Sequence, residues 1–241
     1  CISYSGRCLL SAYMTGRSGN MGDCTHPCRW KYSLVEETRP GEYMPVVEND
    51  RGTYIFNSKD LCMIDHIPEL VDAGISSFKV EGRMKSALYV ASMCRTYRQA
   101  IDDYFTDPAL YESRLGYYRE EISKCTYREY TTAFFFGKPS EESQIYTDNT
   151  YIKEWVYLGQ IGTETKNIEG RICWYLEQKN KFSVGDKVEI MRPGSDNIEA
   201  EVLHMYNEDL EPIESCPHAR QMFYLDLGTE LMEYDILRMN K

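Results

Sequence analysis

The spacing of apolar positions changes twice along the chain, and each change marks a change of structure. Over residues 1–42 no period is sustained, and Gly6, Gly16, Gly19, Gly22, Pro27, Pro40 and Gly41 interrupt the chain, which predicts irregular backbone with one short helix over residues 9–14. Residues 43–48 and 53–57 are rich in β-formers and flank Asn49, Asp50, Arg51 and Gly52, the pattern of a hairpin. Ser58 is then placed to cap a short helix that starts at Lys59 and carries Cys62. A further helix is expected over residues 68–73, stopped by Gly74, followed by a short buried strand over 76–80 that runs into Glu81, Gly82 and Arg83. From Ser86 onward Val90, Cys94, Tyr97, Ile101 and Phe105 recur every three or four residues, the stripe of an amphipathic helix. A Tyr-rich helical stretch covers residues 108–124, and residues 136–150, with Gly137, Pro139, Ser140 and Ser143, read as a linker. Beyond it the pattern turns to short alternating runs at 155–161, 170–176, 187–191, 200–205, 222–227 and 235–238. Six short strands without helices predict a small closed β-barrel.

Composition narrows the class. At 241 residues and 42% hydrophobic content the chain can bury one large core or two modest ones. No window approaches the 18 or more apolar residues of a membrane span, and nothing at the start has the order of a signal peptide, so a soluble, cytoplasmic protein is expected. The net charge of -11 is uneven: residues 1–105 hold 12 Lys+Arg against 13 Asp+Glu, and residues 106–241 hold 15 against 25. That field argues against nucleic acid as a partner unless a local basic patch supplies the contact.

Nine cysteines change the picture more than the charge does. Cys1, Cys8, Cys24, Cys28 and Cys62 crowd the first quarter, while Cys94, Cys125, Cys173 and Cys216 are scattered and read as buried structural thiols. An odd total with this clustering fits metal ligation better than a disulfide framework. Thiolates select zinc or iron-sulfur clusters, and only Cys24 and Cys28 form the close pair that a zinc site repeats, so iron-sulfur is favoured.

The residues around these cysteines resemble a known family. Cys1, Gly6, Cys8, Leu10 and Ser11 follow the C-x4-G-x-C-x-L-S signature of peptidase family U32. The similarity continues through Arg17-Ser18-Gly19-Asn20-Met21-Gly22-Asp23-Cys24, Cys28-Arg29-Trp30, Asn57-Ser58-Lys59-Asp60-Leu61-Cys62 and Phe78 to Ser86, and Phe182-Ser183-Val184-Gly185-Asp186 resembles the family's small terminal domain. The resemblance implies an α/β fold class: residues 1–135 as the C-terminal part of a TIM-like (β/α) barrel with cysteine-rich loops, 136–150 as linker, and 151–241 as a small all-β barrel. Because the motif begins on Cys1, earlier strands of that barrel are expected in an N-terminal half of the same protein. It also implies a 4Fe-4S cluster, with Cys1, Cys8, Cys24 and Cys62 matching the ligand pattern and Cys28 as the alternate. Within the family the chain is most similar to the prephenate-dependent tRNA hydroxylases, which make 5-hydroxyuridine at the wobble position, so tRNA and prephenate are the implied partners.

Glu81, Arg83 and Lys85 follow a predicted strand and precede a helix, where a barrel presents groups to its ligand. Arg83 is suited to a two-pronged hold on a prephenate carboxylate, Lys85 to a point charge, and Glu81 to a base or orienting partner. Arg17 and Arg29 flank the cysteine loops and are candidates to contact phosphate or tune the cluster. Hydrolysis, the reading in the family's label, is the alternative. His26, His66, His204 and His218 are the only histidines, and no G-x-S-x-G elbow or H-E-x-x-H helix is present. A zinc-stabilised binding module is the third class.

Overall fold

The structure, a computed structural model, describes residues 8–30, 32–34, 40, 41, 44, 45, 58–83, 85–137, 145 and 151–241. It forms two compact units, Cys1–Met84 with Tyr127–Ile152, and Lys85–Thr126 with Lys153–Lys241.

The first unit is built from short elements. Helix α1 (Leu10–Thr15) closes on Gly16, whose φ of 71° lets its N–H return to Ala12 O. Strands β1 (Ser33–Leu34) and β2 (Met44–Pro45) pair antiparallel. Of the hairpin predicted from 43–48 and 53–57 only residues 44 and 45 are described, and they pair with β1; residues 43 and 46–57 lie outside the described residues. Lys59 does not start a helix: Ser58 makes an isolated bridge, and β3 (Asp60–Leu61) pairs in parallel with β4 (Tyr130–Thr131). The helix comes later, as a 3-10 turn at Ile64–His66 leading into α2 (Ile67–Asp72). Gly74, at φ 75°, ends it with its N–H on Val71 O. Met63, Ile64, Ile67 and Leu70 form the apolar core here.

Residues 76–80 are not a buried strand; they form no regular element, and their side chains are half-buried to exposed. A strand exists only where a neighbour accepts its backbone bonds, and no described residue pairs with this segment. For the same reason a TIM-type barrel is not seen among the described residues, whose parallel pairing is confined to β3 and β4.

The second unit joins three helices to an all-β core. Ser86 caps α3 (Ala87–Thr106), its Oγ accepting the Tyr89 N–H at 3.3 Å. The predicted stripe is the wrong face. Leu88, Tyr89, Ser92, Met93, Thr96 and Ala100 are buried, whereas Val90, Cys94 and Phe105 are exposed. Small and hydroxylated side chains let α3 approach its neighbours closely, and a hydrophobicity pattern discounts such residues. Helices α4 (Pro108–Ser113) and α5 (Leu115–Ser123) follow.

The strands β5 (Trp155–Gln160), β6 (Thr165–Ile168), β7 (Arg171–Glu177), β8 (Lys187–Met191), β9 (Ile198–Glu201), β10 (His204–Tyr206), β11 (Met222–Asp226) and β12 (Ile236–Asn240) form two antiparallel sheets of four. Their orders are β10-β11-β7-β6 and β5-β12-β8-β9. The prediction of six strands missed β6, which is mostly polar and exposed, and merged β9 with β10. The sheets share one core, with Leu158, Leu176, Ile190, Phe223, Leu225 and Leu237 among its fully or nearly buried members. At Gly159 the sheets come so close that a Cβ would stand 2.8 Å from Leu176 Cδ1 and 3.2 Å from Glu177 O.

A buried charge network fastens the helices to the sheets. The Glu121 carboxylate on α5 meets Arg238 of β12 at 2.6 Å, Arg95 of α3 at 3.0 Å and Lys124 at 3.0 Å. Glu189 of β8 supplies the second carboxylate, taking Arg238 Nε at 2.7 Å and Lys124 Nζ at 2.9 Å. Trp155 lies under both cations, 5.1 Å from Lys124 Nζ and 5.5 Å from the Arg238 guanidinium. Among the described residues no helix is long and apolar enough to cross a membrane.

Candidate functional site

The cysteine loops of the first unit are organised by hydroxyls. Cys8 stands just ahead of α1, and Ser11, the buried residue of that helix, accepts the Thr25 N–H at 3.0 Å and lies 3.1 Å from Thr25 Oγ1. The segment after Cys8 is thereby tied to the residue after Cys24. Thr15 adds a hydroxyl contact of 3.1 Å to Thr25, and the Trp30 indole N–H donates to Thr25 O at 3.0 Å.

Backbone geometry places the next two thiols. Cys24 Sγ accepts the His26 N–H at 3.3 Å, and a Cβ on Gly19 would stand 3.4 Å from Cys24 Cβ, so the loop approaches closely there. His26 takes a left-handed φ of 55°, which turns the chain into the 3-10 turn Pro27–Arg29 carrying Cys28. Burial pushes the Cys28 thiol up from its ordinary pKa, and Arg29 opposes this.

Cys62 follows β3, half-buried, with its N–H donating to Thr131 O at 2.9 Å. Cys1 lies outside the described residues. Among the described residues no three His, Cys, Asp or Glu side chains stand close enough to hold a metal ion. In kind the donors suit an iron-sulfur cluster: they are all sulfur, they come from loops, and none of Cys8, Cys24 and Cys28 is in a disulfide.

The charged candidates sort into two groups. Arg17 grips Asp23 with Nε at 2.8 Å and Nη2 at 2.5 Å, and Arg83 reaches the same carboxylate at 2.8 Å. The Arg17 hydrogen bond is the main reason the Asp23 carboxyl falls to about 2. Glu81 turns back on its own loop, one oxygen accepting the Arg83 N–H at 3.2 Å. Arg17, Arg83 and Glu81 are thus gathered beside Cys24. Lys85 belongs to the second unit, with its Nζ 4.8 Å over the Tyr89 ring.

Arg29 is deeper. It pairs with Asp60 at 2.5 Å, both side chains nearly buried. Burial alone would depress the Arg29 guanidinium, and Asp60 more than reverses this. The second Asp60 oxygen accepts the Arg128 N–H at 3.3 Å, and the Arg128 guanidinium, pushed down by burial and by Arg29, lies 5.3 Å from the Tyr151 ring.

Sequence reasoning missed Asp23, Asp60 and Arg128. Asp23 beside Cys24 and Asp60 two residues before Cys62 were legible as acidic neighbours of candidate ligands; Arg128 carried no local signal.

The first unit thus carries thiol-bearing loops and arginine–carboxylate pairs, and the chain ends in two four-stranded β-sheets that share one core. The sequence profile of Peptidase family U32 matches residues 1–145, and that of the Peptidase family U32 C-terminal domain matches residues 153–238. The chain belongs to peptidase family U32. The profiles divide the chain between 145 and 153, whereas packing groups residues 85–126 with the β-sheets.

Among curated relatives, tRNA hydroxylation protein P1 of Bacillus subtilis is 32% identical over 241 residues, covering 100% of this chain and 56% of the relative. The tRNA hydroxylation protein P of Escherichia coli is 32% identical, with 100% of this chain and 60% of the relative covered. A collagenase of Porphyromonas gingivalis is 28% identical over 80% of this chain and 45% of its own length. The chain therefore spans little more than half the length of the curated relatives it matches.

Proposed function

We propose that this chain is part of a cytoplasmic iron-sulfur enzyme that hydroxylates tRNA wobble uridine to 5-hydroxyuridine in a prephenate-dependent reaction. The observation that carries the reading is the similarity of the chain along its full length to relatives named for tRNA hydroxylation, together with the tie between the Cys8 and Cys24 loops through Ser11 and Thr25.

Cys1, Cys8, Cys24 and Cys62 would hold a 4Fe-4S cluster, with Cys28 as the alternate ligand. A cluster filled by four thiolates supplies electron transfer or structure, and one held by three leaves an iron open to substrate. The raised Cys28 thiol is protonated at neutral pH, so recruiting it as a ligand would release a proton.

Arg17 and Arg83 supply the carboxylate chemistry. Both face one anion, Asp23, in a half-exposed position, and a two-pronged guanidinium suits a substrate carboxylate equally well. Prephenate is a dicarboxylate. In this reading it competes with Asp23 for the two arginines, with Glu81 fixing the backbone of the Arg83 loop. Lys85 belongs to the second unit and is left out of this carboxylate site. The second half of the chain is acidic, so the all-β domain serves this function as a structural module rather than as the main RNA contact.

Nucleoside analysis of tRNA from a deletion strain tests the reading, with any paralogue removed as well. Loss of 5-hydroxyuridine derivatives is expected, and their full retention refutes the proposed substrate. Anaerobic purification with iron, sulfide and zinc quantitation separates this reading from a zinc-stabilised module, which would carry zinc and no sulfide.

A further inference from the structure

Asp60 sits where three chain segments of the thiol site meet. One carboxylate oxygen accepts from Arg29 at 2.5 Å, and Arg29 follows Cys28 directly. The other accepts the Arg128 N–H at 3.3 Å. The Asp60 backbone N–H donates to Glu129 O at 2.8 Å, and two residues on the Cys62 N–H donates to Thr131 O at 2.9 Å. One side chain at 3% exposure thus joins the loop of Cys28, the strand leading to Cys62 and the segment that pairs with that strand.

A buried ion pair is a poor device for stability alone, since an apolar pair of the same volume avoids the cost of desolvating both charges. Its advantage is direction. A carboxylate with two oxygens engaged admits a narrow range of positions for its donors, and a guanidinium presents its N–H groups in a rigid plane. The surrounding pairing is short: β3 and β4 share two residues each, too few to fix Cys62 by themselves.

We propose that Asp60 is a positioning residue that locks the Cys28 loop to the Cys62 strand, so that the two segments carrying these candidate ligands keep a fixed mutual placement before a cluster is bound. The inference rests on the reading that these cysteines hold an iron-sulfur cluster. It adds a residue that touches no metal and yet governs how firmly the metal is kept, as groups that orient ligands do.

The test uses the full chain, reconstituted anaerobically, as wild type, as Asp60→Asn and as the paired variant Arg29→Met with Asp60→Leu. Three quantities are read: iron and sulfide per chain, the rate at which a chelator bleaches the visible absorbance, and the far-ultraviolet circular dichroism and melting curve of the metal-free protein. The paired variant removes the Arg29–Asp60 link and both of its charges but also takes a carboxylate from beside buried Arg128 and the acceptor from the Arg128 N–H, so its metal-free circular dichroism is expected to match the wild type while its melting curve falls somewhat. Its bleaching is expected to be faster by about 10- to 100-fold. Asp60→Asn is expected to bleach at least as fast. Wild-type bleaching kinetics in the paired variant would overturn the assignment and leave Asp60 a structural residue only. A wild-type chain that takes up neither iron nor sulfide fails differently: it removes the cluster reading itself, and this inference with it.

Discussion

Removing the Glu121 carboxylate should cost the second unit more than any other single change on its surface or in its core of charges. Glu121 is fully buried and is shared by Arg238, Arg95 and Lys124, with Asn197 Nδ2 donating at 2.7 Å. In Glu121→Ala, Arg238 keeps Glu189, Lys124 keeps Glu189 and the exposed Glu120, and Arg95 is left with the neutral acceptors Tyr117 Oη and Ser195 O. Breaking a buried ion pair from one side costs about 3–5 kcal/mol, because the surviving charge stays out of water. For a unit of this size that is a fall in melting temperature of roughly 10–20 °C. The signal can be isolated. The chain has three tryptophans, and in a Trp30→Phe background fluorescence reports Trp155 and Trp174, both in the second unit.

The pH dependence follows from the same groups. Burial would raise the Glu121 carboxyl, but Arg238 and Lys124 outweigh it and hold it below the usual range. A depressed carboxyl contributes its stabilisation in full above the unfolded value of about 4.3 and loses it as pH falls through the folded one. Lys124 runs the other way: burial would lower it, while Glu189, Glu120 and Glu121 raise it, so its contribution is lost only as pH climbs through the alkaline range. Glu121→Gln should therefore flatten the acid limb of the stability profile and leave neutral protein weakened. A loss under about 1 kcal/mol in urea titration, as for solvent-exposed pairs, would refute the view that this network is dehydrated and fastens helices to sheets.

Three further outcomes are expected. In native protein Cys94 should react with a maleimide, while Cys125, Cys173 and Cys216, all fully buried, stay unmodified until denaturant is added; intact mass spectrometry counts the labels, and burial pushing Cys173 up to about 11 works in the same direction. Gly159→Ala should destabilise the β-sheets by about 1–3 kcal/mol in the same urea assay, since its Cβ meets the Glu177 carbonyl, which cannot step aside as a side chain can. An NMR titration should find Asp23 ionising near 2, and Arg17→Ala should move it back toward 3.8 further than Arg83→Ala does, because the Arg17 hydrogen bond is the larger cause.

Local signals in the sequence were read well, and those that depend on a distant partner were not. The stop of α2 at Gly74, the Ser86 cap of α3 and the strand over Lys187–Met191 all follow from residues within one turn or one alternation. The segment 76–80 and the short β3 before Cys62 depend on which chain lies alongside, and nothing within the segments themselves states that. The face of α3 was misassigned for a related reason: Ser92, Thr96 and Ala100 are buried by what packs on them, while Val90 and Phe105 look inward only on a hydropathy scale. At the site, cysteine spacing pointed to Cys1, Cys8, Cys24, Cys28 and Cys62 as a group, of which Cys1 lies outside the described residues, and the motif around Cys62 contained Asp60 without revealing its partner. The Asp60 link to Arg29 spans 31 positions and the one to Arg128 spans 68, distances over which no periodicity speaks.

The two units are interleaved along the chain: residues 85–126 depart to pack with 153–241, and 127–152 return to the first unit. A nascent polypeptide leaving the ribosome cannot finish the thiol-bearing unit until β4 has emerged, by which time α3 to α5 are already exposed and waiting for sheets not yet made. A single protease cut within 127–152 would likewise separate residues 85–126 along the chain from the sheets they pack against.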